Sequence, residues 1–132
     1  MPTFIFNKLI RDKLKDEYVR MNQQAVYKKL SPDEFADALK QKIIEETKEL
    51  RHDGTKEDFV SELADIQQAI HDLMDLKNIS ADDIEAKRRV KFDKKGGFAD
   101  ASYVTSLRLQ NDDEWVDYYR KSPDVFKEVG DE

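Results

Sequence analysis

The chain has 132 residues, the length of one small domain, and 39% of them are hydrophobic, so the core will be thin for this size. The net charge of −6 argues against nonspecific nucleic-acid binding, and the lack of cysteine excludes disulfides, thiol catalysis and cysteine-ligated zinc. No apolar run approaches the roughly 20 residues that span a membrane, and no signal peptide opens the chain, so we expect a cytoplasmic protein without membrane contact.

The elements expected along the chain are mainly helical, because glycine and proline are few. Capping signals mark three helix starts: Ser31 before Pro32, Thr55 before Asp58, and Ser80 before Asp83. The predicted helices run over 7–21, 32–51, 56–77, 81–93 and 114–121. Segments 25–29 and 98–109 are rich enough in aromatic and β-branched residues to predict a minor two-stranded β element on an all-α helical bundle.

The second and third predicted helices carry acids where a packed helix favours hydrophobic residues. The apolar stripe of the second comprises Phe35, Leu39, Ile43 and Leu50, and that of the third comprises Phe59, Leu63, Ile66, Ile70 and Leu73. Glu46 takes the place that would continue the first stripe, and Glu49 follows one turn later. Glu62 falls within the second stripe, with Asp65 on its flank.

The break between these helices, at 52–54, is so short that they must run antiparallel as neighbours. Residues three apart are neighbours on a helix surface, so the two acidic pairs would form one partly buried cluster of carboxylates. Repulsion and desolvation within such a cluster favour a bound divalent cation. Ligands that are all oxygen indicate Mg²⁺ or Mn²⁺ rather than zinc.

Two other interpretations of the acids compete with a metal site. Because 39% of the chain is charged, Glu45, Glu46 and Glu49 alone would fit a solvated face, and the second cluster in register is what favours a site. Glu49-x-x-His52 matches half of a di-iron signature, but the partner helix offers Glu62-x-x-Asp65 instead of a second Glu-x-x-His. A histidine favoured by the dipole at the helix end is the preferred interpretation of His52.

Acids on one wall, with lysine and arginine near the helix ends, are typical of a site for a metal and a polyphosphate. Carboxylates would hold Mg²⁺, basic residues would take the remaining phosphate charge, and a spare carboxylate would be the general base for an attacking water. The sequence contains no P-loop string, which excludes a P-loop NTPase.

Three motifs in order resemble a known family. Glu45-Glu46-x-x-Glu49, followed after twelve residues by Glu62-x-x-Asp65, resembles the pattern of the MazG-like all-α nucleoside triphosphate pyrophosphohydrolases. The opening stretch 6–13, FNKLIRDK, and the stretch 91–98, ending in KGGF, are similar to the phosphoribosyl-ATP pyrophosphohydrolase-like, or house-cleaning, branch. The resemblance covers roughly residues 4–107, so we expect a domain over 1–110 and an extension over 111–132.

The resemblance implies a dimeric or tetrameric Mg²⁺ enzyme that cleaves an NTP-like substrate between the α and β phosphates. By position, Glu46, Glu49, Glu62 and Asp65 would be metal ligands, and Glu45 a further ligand or the base. The substrate contacts implied are Lys8, Arg11, Lys13, Lys91 and Lys95. Lys95 departs from the branch, which has arginine at this position. Lysine offers phosphate a single charged ammonium group in place of the bidentate hydrogen bonds of a guanidinium.

Two questions stay open at the level of sequence. The rival to an enzyme is a catalytically silent helical bundle that binds a protein partner or a nucleotide, and a non-nucleotide pyrophosphate is a third possibility. The apolar side chains exceed what a monomer of this size readily covers, which predicts a homodimer closed by two-fold symmetry.

Overall fold

A computed structural model describes residues 1–130, and the regular structure of this part of the chain is entirely α-helical. The helices are α1 (Leu14–Arg20), α2 (Pro32–Lys48), α3 (Lys56–Leu76), α4 (Ala81–Lys95) and α5 (Trp115–Arg120). The all-α prediction is confirmed. No helix among the described residues is long and apolar enough to cross a membrane.

The two predicted strands are wrong, since neither 25–29 nor 98–109 forms a strand. Val26 is fully exposed and Tyr103 is 90% exposed, so neither segment has an apolar surface to pack on. A lone pair of short strands is at best marginal in water without such a surface.

The first helix is shorter than predicted and begins at Leu14 instead of residue 7. Asn7 has a positive φ of 47°, a left-handed conformation that asparagine tolerates and that a helix start cannot include. The N-terminal segment, residues 1–13, therefore precedes α1 without regular secondary structure.

The other helix starts follow local side-chain chemistry. In α2 the Glu34 N–H donates to Ser31 Oγ at 3.2 Å, and the Ser31 N–H donates to Glu34 Oε1 at 3.2 Å. Thr55 and Asp58 form the same reciprocal capping box at α3. These boxes satisfy backbone donors that would otherwise lack a partner, and so fix where each helix begins.

The α2–α3 hairpin, joined by residues 49–55, is the main helix–helix contact in the described part of the chain. Its inner face buries Leu39 at 3% exposure and Ala69 at 5%. The packed face of α3 comprises the buried Ala69 and four half-buried residues, alternating three and four residues apart: Phe59, Glu62, Ile66 and Leu73.

The stripe predicted for α3 is wrong at two positions. Leu63 is 49% exposed and Ile70 is 39% exposed, so both lie outside the packed face. Leu63 lies four residues after Phe59, but the packed face continues at Glu62, three residues after it. In the same way, Ile70 lies four residues after Ile66, and the packed face continues at Ala69. A second apolar face of α3 is therefore uncovered.

The described residues divide into two compact units, the first of which ends at Lys95. The domain expected over 1–110 stays a prediction. The division falls at Gly96, whose φ of +79° suits glycine best. In the second unit, aromatic rings pack on one another, with Tyr119 and Phe126 at 4.8 Å between centroids and Trp115 edge-on to Tyr118 at 5.3 Å.

Candidate metal centre

Carboxylates of α2 and α3 converge into two groups that share one residue. In the first group, Glu45, Glu46 and Glu49 each offer an oxygen, and these oxygens lie within 4.8 Å of one another. In the second, oxygens of Glu46, Glu62 and Asp65 meet the same limit. The structure thus brings together all four predicted metal ligands and Glu45. We call these five residues the acid cluster.

Packing of the hairpin places Glu46 at the centre of the acid cluster. It is 7% exposed, and it is the one buried charged residue among residues 1–130. It lies seven residues after the buried Leu39 on the same face of α2, as the periodicity of the sequence predicted. Glu46 is also in the last turn of α2, where the helix dipole disfavours negative charge, so neither burial nor helix position stabilises it.

Glu62 has an electrostatic environment that a bound cation would stabilise. Its Oε2 atom is buried and has no hydrogen-bond partner within the described residues. Burial raises the pKa of this carboxyl group above its ordinary value, and the neighbouring Glu49, Asp65 and Glu46 raise it further. A buried oxygen without a partner, facing other carboxylates, fits a divalent metal that takes oxygen ligands.

Two cations of the N-terminal segment reach the acid cluster. Lys8 Nζ donates to Glu45 Oε1 at 3.0 Å, and Arg11 Nη2 donates to Asp65 Oδ1 at 2.6 Å. The hydrogen bond from Lys8 lowers the pKa of Glu45, and in return raises the pKa of Lys8. Two of the predicted substrate contacts therefore lie against the acid cluster, Lys8 at Glu45 and Arg11 at the predicted metal ligand Asp65.

Lys42 is a third cation at the cluster, and it was missed in the sequence. Its Nζ lies 3.4 Å from Glu46 Oε1 and 3.7 Å from Glu45 Oε1, and its side chain is 27% exposed. The signal was its position four residues before Glu46, a common spacing for ion pairs on a helix.

The charges of the site are close to balance. Five carboxylates face the three cations Lys8, Arg11 and Lys42, which leaves two negative charges when all are ionised. One divalent cation carries the charge that would neutralise them.

The remaining predicted substrate contacts are not brought to the acids. Lys13, Lys91 and Lys95 are exposed and make no ion pair or hydrogen bond through their side chains within residues 1–130. Histidine takes no part in either carboxylate group in this part of the chain, which leaves His52 outside the centre and the ligand set all oxygen.

A cleft of about 390 Å³ opens beside the acid cluster at the turn of the hairpin. It is lined by Lys48, Glu49, Arg51, Gly54, Asp58, Phe59 and Glu62. Two members of the cluster therefore face a space that also presents two cationic side chains and an aromatic ring.

No protein family model, no curated protein and no solved structure matches this chain. The resemblance drawn from the three motifs stays a prediction, and the function has to be argued from the geometry of the acid cluster.

Proposed function

We propose that the chain is a Mg²⁺-dependent nucleotide pyrophosphohydrolase that cleaves an NTP-like substrate between its α and β phosphates. The products would be a nucleoside monophosphate and pyrophosphate, and a house-cleaning role in removing unwanted nucleotides fits this reaction. Mn²⁺ would serve in place of Mg²⁺, because it accepts the same oxygen ligands.

The observation that carries the proposal is the buried, unpartnered Oε2 of Glu62, a residue whose carboxylate is grouped with those of Glu46 and Asp65. An exposed acidic face would leave no such atom, because water would solvate every carboxylate. Glu46, Glu49, Glu62 and Asp65 would hold the metal. When bound, Mg²⁺ supplies positive charge that neutralises phosphate oxygens and makes phosphorus more electrophilic.

The chain's own residues account for the other requirements of the reaction. Glu45 lies in the first carboxylate group but not in the second, so it would be the carboxylate left to accept a proton from an attacking water. Lys8 and Arg11 are long, exposed cations at the cluster that would bind phosphate oxygens.

The uncovered face of α3 supports the proposal that the enzyme is a homodimer. Val60 is 56% exposed, and with Leu63 and Ile70 it presents three large apolar side chains on a helix whose other face is already packed. A second copy of the chain, related by a two-fold axis, would cover this face. A tetramer would require a further such face.

The direct test is release of pyrophosphate from a panel of canonical and modified (d)NTPs and phosphoribosyl-ATP, with Mg²⁺ and with EDTA. Release that requires the metal is expected, and the best substrate identifies the nucleotide. Folded protein that is silent on the whole panel, and whose melting temperature ignores Mg²⁺, would instead favour a catalytically silent bundle that binds a partner.

A further inference from the structure

We propose that the N-terminal segment makes metal binding and phosphate binding depend on each other. Lys8 and Arg11 neutralise two carboxylates of the acid cluster until a diphosphate group takes them over, so that the site accepts Mg²⁺ and diphosphate together. This inference rests on the proposed function and identifies the form in which the ligand binds.

The contacts of the N-terminal segment carry the inference. Lys8 reaches Glu45 across 37 residues of sequence and Arg11 reaches Asp65 across 54, so one segment bridges α2 and α3. The two acids belong to different carboxylate groups of the cluster. A metal that used both groups would compete with both ion pairs.

Lys8 and Arg11 can leave their carboxylate partners at little cost in free energy. The side chains of Lys8 and Arg11 are 51% and 59% exposed, and exposed ion pairs contribute little to stability, so they open easily. Leu9 and Ile10 are half-buried, and residues 1–10 donate no backbone–backbone hydrogen bond in the described structure. The Arg11 carbonyl accepts from the Leu14 N–H at 3.0 Å, which ties the backbone of Arg11 to the start of α1 and leaves its side chain free to change partner. The cations can therefore move a few ångströms without unfolding a helix.

Electrostatics favours the transfer of Lys8 and Arg11 from the carboxylates to a diphosphate when metal and diphosphate arrive together. A divalent cation that arrives alone must displace or tolerate two positive side chains close to its ligands. A diphosphate that arrives with the metal brings oxygens that Lys8 and Arg11 bind at least as well as they bind carboxylates. Each ligand therefore removes an obstacle to the other, and linkage requires the effect to be equal in both directions.

The test is calorimetric titration of the whole chain with Mg²⁺, in the absence and presence of imidodiphosphate, a diphosphate that resists hydrolysis. The complex that the two probes form in solution is subtracted. In the wild-type chain we expect imidodiphosphate to tighten Mg²⁺ binding by about tenfold or more, within the usual range of coupling between sites.

The informative variant is Lys8→Gln combined with Arg11→Gln. We expect Mg²⁺ alone to bind roughly fivefold more tightly, because its competitors are gone, imidodiphosphate to bind more weakly, and the coupling to fall toward onefold. The matched control is Arg20→Gln, whose cation pairs with Glu17 on α1 away from the cluster, and it should leave all three values unchanged. Circular dichroism establishes that each variant is folded.

Opposite outcomes separate the two proposals. Wild-type coupling that survives in the double variant, or variant binding of Mg²⁺ that is unchanged or weaker, overturns the exchange while the metal site stands. A wild-type chain and a double variant that both fail to bind Mg²⁺, with or without imidodiphosphate, overturn the exchange and the proposed function together.

Discussion

The two ends of the α2–α3 hairpin share one mode of packing and differ in chemistry. Away from the turn, the inner faces bury Leu39 and Ala69. Toward the turn, the same faces present Glu46 and Glu62. Glu46 lies seven residues, or two helical turns, after Leu39, and Glu62 lies seven residues before Ala69. Burial stabilises the fold at the first end and is costly at the second, where carboxylates lose water and repel one another.

This difference teaches where the sequence serves something other than folding. A hydrophobic residue at position 46 or 62 would extend the apolar stripe and add to a core that contains few buried residues. The chain instead places a buried carboxylate at the centre of the acidic end and leaves a carboxylate oxygen of Glu62 without a partner. A bound cation is the simplest physical reason for tolerating both.

The largest effect should follow Glu46→Gln, which removes the charge shared by the two carboxylate groups. Turnover should fall on the order of a hundredfold or more, because the site loses a ligand at its centre, while the fold is retained. Asp37→Asn, an exposed acid earlier on α2, is the control and should retain wild-type turnover. Undiminished activity of Glu46→Gln in the pyrophosphate assay would contradict the proposal that Glu46 is the central metal ligand of a pyrophosphohydrolase.

At the apolar end, Leu39→Ala should lower the free energy of unfolding by about 2–4 kcal/mol, because it leaves a cavity between the helices. Urea denaturation measures this loss. Leu107→Ala makes the same chemical change at a side chain that is 63% exposed, and should cost less than about 1 kcal/mol. Equal losses would mean that Leu39 is not part of the core.

Removing a helix cap distinguishes the two ends in a smaller way. Thr55→Ala and Ser31→Ala each break a capping box and should each cost about 1 kcal/mol of stability in thermal or urea unfolding. Only Thr55 starts the helix turns that lead to Glu62, so only its variant should also weaken Mg²⁺ binding. If both variants bind Mg²⁺ as the wild type does, the cap does not position the acids.

The smallest effect concerns pH. The pKa of Glu62 is raised above its ordinary value of 4.5, so the folded chain holds this proton more tightly than the unfolded chain. Its contribution to stability is therefore present below 4.5 and is lost as the pH rises through the raised pKa. In EDTA, Glu62→Gln should match the wild type in acid and melt a few degrees higher at neutral pH. A difference in melting temperature that is the same at every pH would contradict this origin.

The sequence predicted features that depend on residues close together in the chain, and it failed for features that depend on packing between helices. Caps such as Ser31 and Thr55 involve residues three apart, and Glu46 lies on a helical stripe, so local rules located them. The exposure of Leu63 and Ile70 depended on which of two overlapping stripes faces α2, and periodicity alone does not choose between them. Lys42 was missed because lysine four residues from an acid is common in so charged a chain.

The long-range contacts of the site were beyond spacing rules altogether. Nothing in the local pattern places Lys8 against Glu45 or Arg11 against Asp65, and only the family resemblance grouped them. The same resemblance grouped Lys91 and Lys95, whose role stays a prediction. Strand propensity failed for 25–29 and 98–109 because a strand needs a partner and an apolar surface that local sequence does not supply.

The central claim is that the acidic end of the hairpin is a cation site. The most direct measurement is thermal melting at neutral pH in EDTA and in millimolar Mg²⁺, each with and without nucleotide, for the wild type and Glu62→Gln. The account predicts that Mg²⁺ with nucleotide raises the wild-type melting temperature and raises that of the variant much less, since the variant lacks one ligand. A wild-type melting temperature that is the same in EDTA and in Mg²⁺, with or without nucleotide, would contradict it.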